Sequence, residues 1–196
     1  MSRRDYIARS RGRSVRLLLL VDASGSMAEE GRMDAVTGIV GSLQKECRAL
    51  ASEFPRSSID LQAIQFSDRA EWHVENPTPL ATLEWEQIVP AGSTAMGAAL
   101  TLAGKALADG AGEGAVNIVV LISDGYPTDD VERGLECFEA IARESNTIRI
   151  AVAIGEADVR LLRRFVSKQS LLFIEGPKLR ELEAVLLAAA IRDQVK

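Results

Sequence analysis

The sequence predicts an α/β fold: a doubly wound, mostly parallel six-stranded sheet with one short antiparallel edge strand and helices on both faces. The main observation is that short apolar runs alternate along the chain with longer stretches whose apolar residues recur every three or four positions. The runs are typical of buried strands, and the stretches are typical of helices with one inward face. Strands that alternate with helices form parallel sheets covered on both sides. A length of 196 residues with 47% apolar residues fits one globular domain of ordinary size.

The first elements follow from this alternation. Residues 15–21 form an almost unbroken apolar run, which predicts a strand buried on both faces. Helical periodicity over residues 32–54 predicts a long helix. Residues 59–66 predict the second strand. The connection after it is so short that residues 69–74 must return antiparallel, as a short, charged edge strand.

The rest of the chain begins with a long loop and then repeats the alternation. The loop covers residues 75–93, with a short helix near residues 80–85, and it leads into a helix over residues 95–107. Thr128 or Asp129 is expected to cap the next helix. Strands are predicted over residues 116–122, 148–154 and 171–174, and helices over residues 130–144, 158–166 and 177–192.

Charge divides the chain into a basic arm, residues 1–14, and an acidic domain, residues 15–196. Residues 1–16 hold six arginines and one aspartate, so with an overall charge of −5 the remaining residues carry −10. The arm is expected to be a solvated, flexible tail. The acidic domain argues against nucleic acid as the main partner, because phosphate backbones attract basic surfaces.

Composition also bears on location. No apolar run approaches the ~18 residues of a membrane span, and the N-terminal residues have no apolar core of the kind that a secretory signal requires. The prediction is therefore a cytoplasmic protein with no membrane contact. The two cysteines, Cys47 and Cys137, belong to no ligand-like pair and are expected to be reduced and buried.

Oxygen-bearing side chains mark the ends of two predicted strands. Asp22, Ser24 and Ser26 follow the first strand, and Asp124 ends the fourth. In the common doubly wound order these strands are neighbours where strand order reverses, which is where such folds bind ligands. The long loop adds Thr94. An all-oxygen set selects Mg²⁺, with Mn²⁺ or Ca²⁺ as alternatives, over zinc or copper.

These motifs resemble the metal-ion-dependent adhesion site of von Willebrand factor type A (vWA) domains. The resemblance rests on Asp-x-Ser-x-Ser from Asp22, Gly-Ser-Thr-Ala-Met-Gly around Thr94 and Ser-Asp-Gly around Asp124, and it runs through nearly the whole globular part. Residues 122–130 and 153–158 resemble in particular the bacterial TerY-like group associated with tellurium resistance.

The resemblance implies a role for each residue. Ser24 and Ser26 would ligate the metal directly, Thr94 directly or through water, and Asp22 and Asp124 through water and hydrogen bonds. It also implies that an Asp or Glu of a partner protein completes the coordination, in a stress system that includes kinase and phosphatase partners. In some relatives the closing helix shifts as the metal shell changes, and the same is expected here. Glu29, Glu30, Asp68 and Tyr126 are expected to ring the metal and to shape partner choice.

Two other functions stay open on the residues alone. One is a Mg²⁺-dependent phosphoryl-transfer or hydrolytic enzyme, and the other is a scaffold whose metal site has become purely structural. The only histidine, His73, is expected to be a surface residue, and the site motifs contain no lysine or arginine to meet phosphate charge. The prediction is therefore a binding module and not an enzyme.

Overall fold

The computed structural model describes residues 14–29, 31–110, 115–124, 126–155, 157–166, 171–174 and 190–195. The basic arm lies outside these residues, except for Ser14, and so does most of the predicted closing helix. Residues 190–195 are helical, and Ile191 and Val195 are buried in the core. In the described part of the chain, no helix combines the length and apolar character needed to cross a membrane.

Within the described residues, the strands form one mixed sheet in the order β3-β2-β1-β4-β5-β6. All neighbouring pairs are parallel except β2 and β3. Because β1 lies between β2 and β4, strand order reverses beside it, and the predicted contact between the first and fourth strands is confirmed. The strands are β1 (Ser14–Asp22), β2 (Ser58–Phe66), β3 (Ala70–Pro79), β4 (Val116–Ser123), β5 (Thr147–Ile154) and β6 (Leu171–Ile174).

Helices cover both faces of the sheet, so the predicted α/β class is confirmed. Alternate residues of β1 explain the two layers: Leu17 and Leu19 belong to the core cluster that includes α1. Leu18 and Leu20 belong to the cluster that includes α2 and α3. Each fully buried leucine contributes about 1.5–3 kcal/mol of transfer free energy. The helices are α1 (Arg32–Glu53), α2 (Met96–Ala108), α3 (Val131–Ala142) and α4 (Val159–Phe165).

The edge strand is longer than predicted. β3 runs to Pro79 and has 10 residues, because register shifts opposite β2 between Leu61 and Ile64 let pairing resume after an irregularity. The prolines in this strand are tolerated because an edge strand leaves one side without ladder partners. The predicted short helix near residues 80–85 is only a 3₁₀ turn, Leu80–Thr82.

Two smaller predictions were wrong. Cys137 is exposed, whereas Cys47 is buried as expected, and burial raises the pKa of the Cys47 thiol to about 12. The cap of α3 is neither Thr128 nor Asp129 but Asp130, whose carboxylate accepts a hydrogen bond from the Arg133 amide at 3.1 Å. The two residues first considered as caps bind α2 and the loop before it instead.

His73 was also wrongly predicted to lie on the surface. It is half-buried, and its ring lies 4.5 Å from that of Trp85, centroid to centroid, at a tilt of 59°. Its Nε2 is buried and has no hydrogen-bond partner in the described structure. Burial therefore lowers the pKa of His73 below its ordinary value of 6.5, more than the nearby Glu86 raises it.

This burial predicts a pH dependence of stability. Below pH 6.5 the unfolded chain binds more protons at His73 than the folded chain, so the free energy of unfolding should fall as the pH drops from 7.5 to 5.5. His73→Phe keeps the ring against Trp85 and removes the titration, so part of that loss should disappear. Urea unfolding of both proteins at each pH measures the difference, and identical losses would contradict the prediction.

Candidate metal centre

Asp22 is the buried centre of the site at the end of β1. Its Oδ1 accepts a hydrogen bond from the Ser24 amide at 2.9 Å, and its Oδ2 accepts one from Ser123 Oγ at 2.6 Å. Burial raises the pKa of Asp22, while the hydrogen bonds from Ser123 and Ser24 lower it in part. With both oxygens engaged, Asp22 fixes the position of the turn that follows β1.

Ser26 connects the turn after β1 with the end of β4. The chain turns through a short 3₁₀ helix, Gly25–Ala28. This turn brings Ser26 Oγ within 3.1 Å of Ser24 Oγ and lets it donate a hydrogen bond of 2.9 Å to Asp124 Oδ1. Ser24 and Asp124 are buried, whereas Ser26 is exposed. Two hydroxyls from the turn after β1 and a carboxylate that follows β4 therefore meet near the protein surface.

The loop that carries Thr94 is hydrogen-bonded to the same turn. The amide of Gly25 donates to the Gly92 carbonyl at 3.0 Å, and the amide of Ala91 donates to the Ala23 carbonyl at 2.8 Å. Thr128 Oγ1 accepts from the Thr94 amide at 3.0 Å. Thr94 is buried at 6% exposure. Its backbone is thus held beside the turn after β1 and beside the segment that follows β4.

Asp129 fixes the helix that follows this loop. Its two carboxylate oxygens accept hydrogen bonds from the Gly97 and Ala98 amides, at 2.9 and 2.8 Å. It therefore caps α2 rather than α3, and it stabilises the positive end of the α2 dipole.

The predicted rim residues differ in what they contact. Asp68 Oδ1 accepts hydrogen bonds from both the amide and the hydroxyl of Ser93 at 2.8 Å, which lowers the pKa of Asp68. A Cβ on Gly92, whose φ is 78°, would lie 2.6 Å from this carboxylate. Asp68 therefore shapes the Thr94 loop. Tyr126 is 66% exposed and lies two residues after Asp124, and Glu30 lies outside the described residues.

Arg32 is the site residue that the sequence reasoning missed. Its Nη1 donates to Asp124 Oδ2 and to the Ser26 carbonyl, and its Nη2 lies 3.1 Å from Glu29 Oε2. Arg32 is the first residue of α1, where a cation is disfavoured by the helix dipole. That mismatch is a signal that could have identified it.

The donor chemistry fits the divalent cation that the resemblance implies. The described residues contain no group of three or more His, Cys, Asp or Glu side chains that could hold a metal. Cation binding here would therefore depend on hydroxyl oxygens beside two carboxylates, which suits a hard ion such as Mg²⁺. The Arg32 guanidinium already contacts the Asp124 carboxylate. This contact indicates that the negative charge of Asp124 favours a positive group beside it.

The fold and the site define a class of protein, and a family comparison assigns the chain to it. The family model described as von Willebrand factor type A domain matches residues 17–186, so this chain belongs to that family. The family predicted from the motifs is therefore confirmed. No curated protein sequence is significantly similar to the chain.

Several solved structures have a similar fold. The pilus adhesin SpaC from Lactobacillus rhamnosus GG has a TM-score of 0.75 at 14% identity, and the match covers 93% of this chain but only 31% of SpaC. A von Willebrand factor type A structure from Catenulispora acidiphila has a TM-score of 0.66 at 16% identity, over 91% of this chain and 42% of that one. The vWF domain of the type V pili tip protein Mfa5 from Porphyromonas gingivalis has a TM-score of 0.68 at 10% identity, over 94% of this chain and 97% of that domain. At these identities the likeness shows the fold alone.

Proposed function

We propose that this domain binds a partner protein through a divalent cation held by Asp22, Ser24, Ser26, Thr94 and Asp124. Mg²⁺ is the proposed ion, with Mn²⁺ or Ca²⁺ as alternatives. The observation that carries the proposal is the bridge made by Ser26, whose hydroxyl contacts Ser24 Oγ and Asp124 Oδ1 together. This bridge places oxygens from two neighbouring strand ends at one point, and the Thr94 loop is hydrogen-bonded to the same turn.

The proposed ligands would neutralise only part of the charge of a bound cation. A bound cation would supply a double positive charge at the protein surface, beside the ends of β1 and β4. Ser24 and Ser26 would hold it through neutral hydroxyls, which compensate little of that charge. Asp22 is already committed to hydrogen bonds from Ser24 and Ser123. An Asp or Glu of a partner protein is therefore the group that this arrangement favours as a further ligand.

The rim residues would then shape partner choice, as the sequence predicted. Tyr126 is the rim residue with most of its surface open, at 66% exposure, so we propose it as the main aromatic contact. Glu29 and Asp68 are engaged with Arg32 and Ser93. Their proposed role is to position those neighbours and to set the negative charge around the site.

We further propose a biological setting for this binding. The segments at residues 122–130 and 153–158 resemble the TerY-like group, which suggests a cytoplasmic bacterial stress system linked to tellurium resistance. A kinase or a phosphatase of that system would then be the class of partner to examine first.

An enzyme is the alternative, and one observation favours it. Arg32 brings to the site the positive charge that its motifs lack, as phosphoryl transfer requires. However, this guanidinium is engaged by Asp124, Glu29 and the Ser26 carbonyl. The only histidine of the sequence, His73, is the candidate general base, and it is half-buried against Trp85. A protein-binding function therefore explains more of the observed contacts than an enzymatic function does.

A capture experiment tests the proposal. The immobilised domain should retain a protein in Mg²⁺ and release it when the Mg²⁺ is chelated, and Ser24→Ala should reduce retention at least ~10-fold because a metal ligand is lost. Ser52→Ala is the matched control, since among the described residues Ser52 Oγ donates to the Arg48 carbonyl within α1 and to no residue of the site. Retention that survives both chelator and Ser24→Ala would overturn the proposal. Mg²⁺-dependent turnover of phosphate esters would favour the enzyme instead.

A further inference from the structure

Arg32 occupies a defined position over the end of the sheet. Its side chain is only 21% exposed, and the Asp124 side chain that it contacts is fully buried. A Cβ built on Gly155 would lie 2.9 Å from Nη2 and 3.1 Å from Cζ of Arg32. The guanidinium therefore lies directly over the Gly155 backbone, at the end of β5, and a side chain there would displace it.

The contacts of Arg32 divide between an inner and an outer carboxylate. The inner one is Asp124, whose Oδ1 accepts from Ser26 and whose Oδ2 accepts from Arg32, so both of its oxygens are engaged. The outer one is Glu29, with a side chain that is 66% exposed. Arg32 can therefore leave Asp124 and keep Glu29 as an ionic partner. It would then lose the buried contact and retain the one that solvent screens.

A guanidinium and a divalent cation make competing demands on Asp124. Both need the charge of this carboxylate, and two cations a few ångströms apart repel each other strongly at a partly buried site. Metal binding at the proposed centre must therefore displace Arg32 or work against its charge. An ion of lower charge or longer contacts gains less from Asp124 and competes less well with the guanidinium.

We propose that Arg32 is a built-in competing cation that lowers the divalent-ion affinity of this site through Asp124. The inference rests on the proposed function, because it assumes that a divalent ion binds there. It assigns Arg32 a role in setting the ion concentration at which the site fills, which in turn sets when an acidic partner can bind.

Mn²⁺ titration followed by electron paramagnetic resonance tests this role, since free and bound Mn²⁺ differ in signal. Arg32→Gln should bind Mn²⁺ at least ~10-fold more tightly than the unsubstituted chain, because one nearby positive charge is gone. Gly155→Ala retains Arg32 but puts a methyl group 2.9 Å from its Nη2, so it should tighten binding in the same direction, at some cost in stability because φ of residue 155 is 58°. Arg143→Gln is the control, because it removes one exposed arginine, paired with Glu139 at the C-terminal end of α3.

The outcomes separate the inference from the proposed function. Tighter Mn²⁺ binding in Arg32→Gln, lost again when Ser24→Ala is added, supports both. Equal or weaker binding in Arg32→Gln, with thermal unfolding unchanged from the unsubstituted chain, overturns the role of Arg32 and leaves the metal site standing. Absence of Mn²⁺ binding in every variant overturns the metal site and the inference together. If Arg32→Gln unfolds at a lower temperature than the unsubstituted chain, the Mn²⁺ affinity of Gly155→Ala is compared with that of the unsubstituted chain instead, with the same two outcomes.

Discussion

Gly97→Ala is expected to destabilise the domain by about 3 kcal/mol, the upper end of the usual cost of overpacking. A Cβ at this position would lie 2.4 Å from the carbonyl oxygen of Asp130, and one at Gly134 would lie 2.5 Å from Cα and O of Gly97. The obstructing atoms are backbone, so no side-chain rotation relieves the overlap. Gly134→Ala should have a comparable cost, because the two glycines form one contact between α2 and α3.

Alanine at other helical glycines provides the matched control. Gly38 and Gly41 lie within α1, and a Cβ at either has nothing within 4 Å. Gly38→Ala should therefore stabilise the chain by about 0.5–1 kcal/mol through helix propensity alone. Urea unfolding at equilibrium measures the stability of all three variants. A Gly97→Ala protein as stable as Gly38→Ala would show that α2 and α3 do not approach as closely as described.

The same contact links stability to the site. Asp129 and Asp130 adjoin it, and Asp129 holds the Gly97 and Ala98 amides at the start of α2. The Thr94 loop immediately precedes that helix. A shift of α2 by even a few tenths of an ångström would therefore move Thr94, so we expect Gly97→Ala to weaken divalent-ion binding as well.

Features set by one short segment could be predicted from the sequence. The burial of β1 on both faces followed from its almost unbroken apolar run, and the strand begins and ends within one residue of the predicted bounds. The neighbouring placement of β1 and β4 followed from the doubly wound order. Once those strands are adjacent, Asp22 and Asp124 must lie near each other at their carboxyl ends.

Features set by contacts between distant segments could not be predicted from the sequence. Asp129 looked like a cap of its own helix, yet its carboxylate reaches the start of α2, 31 residues from Ala98 in sequence. β3 extends past the predicted end because an irregular register opposite β2 restores pairing, which local alternation does not reveal. Arg32 reads as the first residue of a helix, and only the fold brings it to Asp124, 92 residues away.

Asp124→Asn is expected to weaken Mn²⁺ binding by about 10- to 100-fold, the range typical of groups that support a metal without being its main ligands. The substitution keeps the shape of the side chain but removes the charge that Ser26 and Arg32 contact. Asp60→Asn removes one aspartate near the start of β2, at the opposite end of the sheet, so it controls for overall charge. An Asp124→Asn protein that binds Mn²⁺ like Asp60→Asn would exclude Asp124 from the site.

Combining this substitution with Arg32→Gln tests how the two residues act on each other. If Arg32 lowers metal affinity by holding Asp124, then most of the gain from Arg32→Gln should vanish once residue 124 is neutral. The two effects would then be far from additive, as expected for side chains in direct contact. A full gain in the double variant would mean that Arg32 acts on the ion through its charge alone. The cycle therefore distinguishes competition for one carboxylate from repulsion across the site.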